Sequence, residues 1–150
     1  MQKLGHYFTL EEFVYSNTAN ENFIENIPTI PQIRSLTLLV DNILHKLRIH
    51  LAKPIIITSG FRNLELNKLV GGANDSQHTK GQAVDFIVKD MDLLKIAQWI
   101  ACNLHYDQLI LESYNPDDVN EGWIHVSYRK RNNRNQSYTQ SNGILKEGLF

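Results

Sequence analysis

The sequence predicts an α+β domain in which an antiparallel sheet of about four strands is packed by helices. Three observations predict it. Apolar residues recur at three- and four-residue spacing over residues 33–51. Short β-branched or alternating runs stand at residues 54–58, 83–88, 108–112 and 123–128. The 150-residue chain, 42% hydrophobic and 21% charged, has the apolar content of one domain with its own core.

Taken in order, Thr9-Leu10-Glu11-Glu12 reads as a capping box that opens a short helix through about Tyr15. The Asn-rich stretch after it, up to Pro28 and Pro31, reads as loop. Ile33, Leu36, Val40, Ile43, Leu44, Leu47 and Leu51 then paint one face of a long amphipathic helix. Pro54-Ile55-Ile56-Ile57-Thr58 fits a buried strand, and Ser59-Gly60-Phe61-Arg62 turns out of it. A brief helix over residues 64–70 is stopped by Gly71-Gly72. The polar loop 73–82 leads into the strand 83–88, and residues 92–104 form a second amphipathic helix. Cys102 falls within that helix's apolar pattern and reads as a small buried thiol. Strands 108–112 and 123–128 pair through the loop 113–122, whose Asn-Pro-Asp-Asp cluster supplies turn chemistry. The tail, 129–150, reads as a loosely ordered, solvated basic terminus of a single domain spanning 1–150.

A formal net charge of -1 and the lack of a basic stripe argue against nucleic acid or an anionic membrane as partner. No apolar stretch reaches membrane-spanning length, and the first residues lack a secretory apolar core. The expectation is a monomer made in the cytoplasm, which reaches any outside substrate by release or delivery.

Of the six histidines, His78 and His125 stand out by their surroundings. His78 lies in a loop seven residues before Asp85, and Asp85 sits in an apolar strand between Val84 and Phe86. A carboxylate there costs several kcal/mol unless a cation or hydrogen bonds compensate it. His125 likewise interrupts an apolar strand, and alternation puts Trp123, His125 and Ser127 on one face. Two imidazoles and a carboxylate could hold zinc with a fourth position open for water. On spacing alone, a core histidine and a hydrogen-bonded Asp are commoner than metal ligands.

Ser76-x-His78-x-x-Gly81-x-Ala83-x-Asp85, preceded by Ser59-Gly60-Phe61-Arg62 and followed by Trp123-Ile124-His125-Val126, resembles the zinc signature of the D-alanyl-D-alanine carboxypeptidases. That fold is shared with the Hedgehog signalling domain. The likeness runs from about Phe8 to about Tyr128, takes in Asn67 and Gly71-Gly72, and is nearest to small phage endolysins and bacterial peptidases. It implies that His78, Asp85 and His125 bind one zinc ion and that Arg62 holds a substrate carboxylate. The substrate would be a peptidoglycan stem peptide, cut by a metal-activated water in the manner of a carboxypeptidase or an endopeptidase. In the family a Glu or Asp acting as general base precedes the last histidine by two or three residues, where this chain has Trp123 and Gly122. Strand pairing would place Glu112 diagonally from His125 at roughly 7 to 8 Å, which makes it the preferred base, with Glu121 as runner-up. Ser76, Ser127 and Gln82 are expected to orient ligands or substrate. A zinc-stabilised binding module without turnover, or a phage particle component, is the alternative.

Overall fold

The computed structural model describes residues 1–150. The Thr9 N–H donates to the Glu12 carboxylate at 2.7 Å, so the capping box opens α1 (Leu10–Val14) as its sequence predicts. The Asn-rich stretch read as loop contains a short helix, α2 (Asn17–Glu21). Ser16 Oγ accepts the Ala19 N–H at 3.2 Å, and burial of Ala19 anchors the turn. The long helix is α3 (Ile30–Leu39), a π-helical segment Val40–Leu44, and α4 (His45–Leu51). Its Leu36, Leu39, Val40, Ile43, Leu44 and Leu47 are fully buried, each contributing about 1.5–3 kcal/mol before conformational entropy is subtracted.

The sheet has six strands in the order β1-β2-β4-β3-β5-β6. They are β1 (Ile56–Ser59), β2 (Ala83–Ile87), β3 (Gln108–Glu112), β4 (Trp123–Ser127), β5 (Gln136–Ser141) and β6 (Ile144–Glu147). Between β1 and β2 lie α5 (Leu64–Leu69) and a 3-10 turn, Gln77–Lys80, inside the segment expected to be loop; α6 (Leu93–Asn103) joins β2 to β3. Val84, Phe86, Leu109, Leu111, Ile124 and Val126 point to the face that packs on the long helix and α6. The alternate residues, including Asp85, Glu112 and His125, therefore line the opposite face.

Two expectations are corrected. The tail is not a loose terminus: it supplies β5 and β6, and because β5 runs parallel to β3 the sheet is mixed rather than purely antiparallel. Asn142-Gly143 joins the two strands with both φ angles positive, 51 and 74°, as a two-residue hairpin of the favoured twist requires. Cys102 is exposed, because it lies two residues, about 200° of helix, beyond the buried Ile100. No helix of the chain is long and apolar enough to cross a membrane.

The basic residues of the tail are not all solvated either. Asp107, with a fully buried side chain, accepts from Arg134 Nε at 3.0 Å, Nη2 at 2.7 Å and the backbone N–H at 3.1 Å. Burial opposes ionisation of this carboxyl, but the hydrogen bonds and charge of Arg134 outweigh it and hold its pKa below the usual value. Arg134→Ala leaves that charge without its main partner. It should cost about 2–3 kcal/mol by urea denaturation at pH 7, less than a fully enclosed pair because the arginine is half exposed. A carboxyl whose pKa is depressed by folding stabilises above its unfolded value of about 4 and loses that contribution as pH falls. The gap between wild type and variant should therefore narrow towards pH 3.

Candidate metal centre

Asp85 enters the site from the middle of β2, opposite His125 on β4 and Ser59 on β1. A register shift between Ile57 and Ser59 interrupts the regular β1–β2 pairing just ahead of Asp85's partner. His125 Nδ1 lies 2.8 Å from Asp85 Oδ1, and His78 Nε2 lies 3.4 Å from the same oxygen. The potential ligand atoms of the three residues lie within 4.8 Å of one another. Gly60 O accepts from His78 Nδ1 at 2.7 Å, which puts the proton on Nδ1 and leaves the Nε2 lone pair facing Asp85. His78 is buried, and the three side chains fit a divalent ion as two imidazole nitrogens and one carboxylate oxygen, the donor set of an open zinc site. Burial works against the Asp85 carboxylate, but its contacts with His125 and then His78 reverse the effect and hold its pKa far below normal. The pocket is thus built to keep a negative charge.

The local sequence explains the placement. Ser76 Oγ accepts the His78 N–H at 3.3 Å and starts the 3-10 turn that carries the imidazole. Gly81 ends it with φ +67°, and a Cβ there would lie 2.4 Å from Gln32 O, so only glycine lets the turn sit on α3. Gln32 Nε2 in turn donates to Thr79 O at 3.0 Å.

Glu112 ends β3 opposite Trp123, diagonal to His125 on the same face. The Trp123 indole N–H donates to its Oε2 at 2.5 Å. Burial first, and the Asp85 charge second, raise the Glu112 pKa, against the opposing pull of His125, Trp123 and Arg62. Arg62 is half-buried and close enough to feel both Asp85 and Glu112; burial lowers its pKa, but a guanidinium remains charged. Its buried Nε has no hydrogen-bond partner, and its Nη1 reaches Ser59 Oγ only at 3.5 Å. The other candidates lie differently. Glu121 stands on the exposed loop with its carboxylate bonded to Asn115 Nδ2 at 2.8 Å. Ser127 is fully buried and its Oγ accepts the Gln108 N–H at 3.0 Å, so this hydroxyl fixes the start of β3. Gln82 accepts from Gln77 at 3.3 Å in the groove beside His125.

One positioning residue, Asn26, escapes the sequence reading. Asn26 Nδ2 donates to Val14 O at 2.9 Å and Phe61 O at 2.8 Å, and its Oδ1 accepts the Asn63 N–H at 2.8 Å. It clamps the backbone on both sides of Arg62 from a stretch with no chemical motif. Trp123, which the strand pairing read from sequence sets opposite Glu112, does face it.

A family model described as Peptidase M15 matches residues 6–127. No curated protein matches the chain. The donor set predicts one divalent ion per chain by metal analysis, with the ion lost from His78→Ala, Asp85→Ala and His125→Ala. Removing the ion by a chelator should lower the Tm of wild type and leave that of the three variants unchanged.

Proposed function

Because the chain belongs to the peptidase M15 family, whose members depend on zinc, we propose that it hydrolyses a peptide bond in the stem peptides of bacterial cell-wall peptidoglycan. One observation carries the reading. A half-buried carboxyl of raised pKa, Glu112, shares a sheet face with the donor set His78, Asp85 and His125 at a diagonal strand position. Such a carboxyl has no use in a module that merely keeps a metal for stability.

Zinc held by these three residues would supply a Lewis acid that polarises the scissile carbonyl and acidifies water towards a pKa of about 7. Glu112 accepts the proton that the attacking water gives up. Its Oε2 is tied to the Trp123 indole, so Oε1 is the free acceptor, and the same group returns the proton to the leaving nitrogen. A raised pKa suits both halves of that task, because the carboxyl neither ionises too readily nor holds the proton too tightly. Arg62, short of partners beside Glu112, grips a carboxylate of the peptide and sets the carbonyl over the site. Ser76 positions His78, and Glu121 has no part in proton transfer. The enzyme would reach the wall by release or delivery, as endolysins do, and the products distinguish carboxypeptidase from endopeptidase cleavage.

Glu112→Gln should keep the bound ion and lose about 10²–10⁴ of hydrolytic rate on purified peptidoglycan, read as new amino groups or freed amino acids. Glu121→Gln should be close to wild type. A Glu112→Gln protein that still cleaves at the wild-type rate would remove Glu112 from the mechanism. A zinc-loaded wild type that cleaves no wall peptide would leave the binding-module reading in its place.

A further inference from the structure

Beyond the metal ligands, the open sheet face has two ends. Glu112 and Trp123 mark one, with Arg62 beside them. Gln108, next to Ser127 and the start of β2, marks the other. At that second end a groove of about 430 Å³ runs from His125 past Ser76, Gln82 and Gln108 to Arg129 and Arg134, and Ala73 is the one hydrophobic residue in its lining.

The charges of this groove do not cancel. Lys80 on its rim has Asp75 at 2.6 Å. Arg134 takes both oxygens of Asp107, at 3.0 and 2.7 Å. Arg129 Nε comes within 3.1 Å of the same carboxylate but is out of line for a hydrogen bond, and this buried N–H has no acceptor. Its Nη2 donates only to the Asn132 carbonyl, at 2.5 Å. Arg129 is thus a guanidinium without a carboxylate of its own, 37% exposed at its side chain and opening into a groove that begins at a metal ligand. A planar donor fork in that state suits a carboxylate better than any neutral group. Arg129 also lies outside residues 6–127, the part of the chain that the family model covers.

We propose that this groove is a second carboxylate subsite, in which Arg129 binds an acidic group of the peptide on the far side of the scissile bond from Arg62. The inference rests on the hydrolase reading above. It makes the preferred substrate a peptide with a carboxylate on each side of the bond that is cut.

The test uses the zinc-loaded full chain and matched soluble wall peptides. In one pair the glutamate α-carboxyl is free or amidated; in a second pair the side-chain carboxyl of the diamino acid is free or amidated. Wild type should prefer the free acid in one pair by about tenfold in kcat/KM, carried mainly by KM, as a charge-assisted hydrogen bond implies. The pair that shows the preference names the carboxylate. Arg129→Gln should erase the preference while cleaving the amidated peptide at the wild-type rate, and Arg129→Lys should restore part of it. Zinc content and Tm of both variants should match wild type, since Asp107 keeps Arg134. Equal cleavage of free and amidated peptides by wild type, or a preference that survives in Arg129→Gln, overturns the subsite. Equal slowing of every peptide in Arg129→Gln overturns it too and assigns Arg129 to the frame. Failure of wild type to cleave any of the four peptides overturns the hydrolase reading itself.

Discussion

A carboxylate set between Val84 and Phe86, on the strand next to one edge of a six-stranded sheet, remains ionised only if cationic or hydrogen-bonding groups surround it. His125 and His78 do this, one from the neighbouring strand and one from a turn folded over the sheet. Everything else about the site follows from where Asp85 must stand. β1 carries a register shift opposite it, and the polypeptide then turns so that Gly60 O can fix the tautomer of His78. Gly60 cannot be replaced cheaply, because a Cβ would sit 2.4 Å from Phe13 O, where α1 closes against the turn. The apolar half of the same sheet supplies the rigidity that lets a buried charge keep its partners. Val84 and Phe86 flank the carboxylate and point the opposite way, into the core.

The helices act on the site at one remove. Gln32 at the start of α3 holds the carbonyl of Thr79, Gly81 lies against Gln32, and Asn26 holds the backbone around Arg62. Each contact is a hydrogen bond or close approach made by a residue far away in sequence. The chemistry-bearing loops are thereby held by main-chain contacts rather than by the ligand itself. A donor set built in this way is preorganised for a metal ion, since its members need not find one another on binding.

Much of this was legible in the sequence because period-two alternation exposes the intruder. Asp85 and His125 are conspicuous only because apolar residues surround them, and the capping box at Thr9 and the spacing from Ile33 to Leu51 are equally local signals. What was not legible is non-local. β5 is Gln136-Ser137-Tyr138-Thr139-Gln140-Ser141, which buries only Thr139 and is ordered mainly by parallel pairing with β3. Its one clear sign was Asn142-Gly143, a hairpin dipeptide in a segment otherwise read as tail. The Asp107–Arg134 pair spans 27 positions with no local pattern to announce it, so the basic tail looked like solvated charge. Cys102 misled for the opposite reason: its neighbours are apolar, but its helical phase points outward.

The departure at the base has a physical cause that the backbone makes plain. Gly122 has φ +85°, and a Cβ there would lie 2.5 Å from the carbonyl of Glu112, so this position cannot hold an acidic side chain without moving both strands. The next position belongs to Trp123, whose indole donates to Glu112. With β4 closed to a carboxylate at its entry, the facing strand is the nearest element on the same face that can supply one. β3 does so at its last residue, where Glu112 is desolvated enough to raise its pKa yet still linked by charge to Asp85, His125 and Arg62. A tight turn that demands glycine and an indole that needs an acceptor thus set Glu112 opposite Trp123, rather than a residue just ahead of His125, as the carboxyl to which the proposed hydrolysis assigns proton transfer.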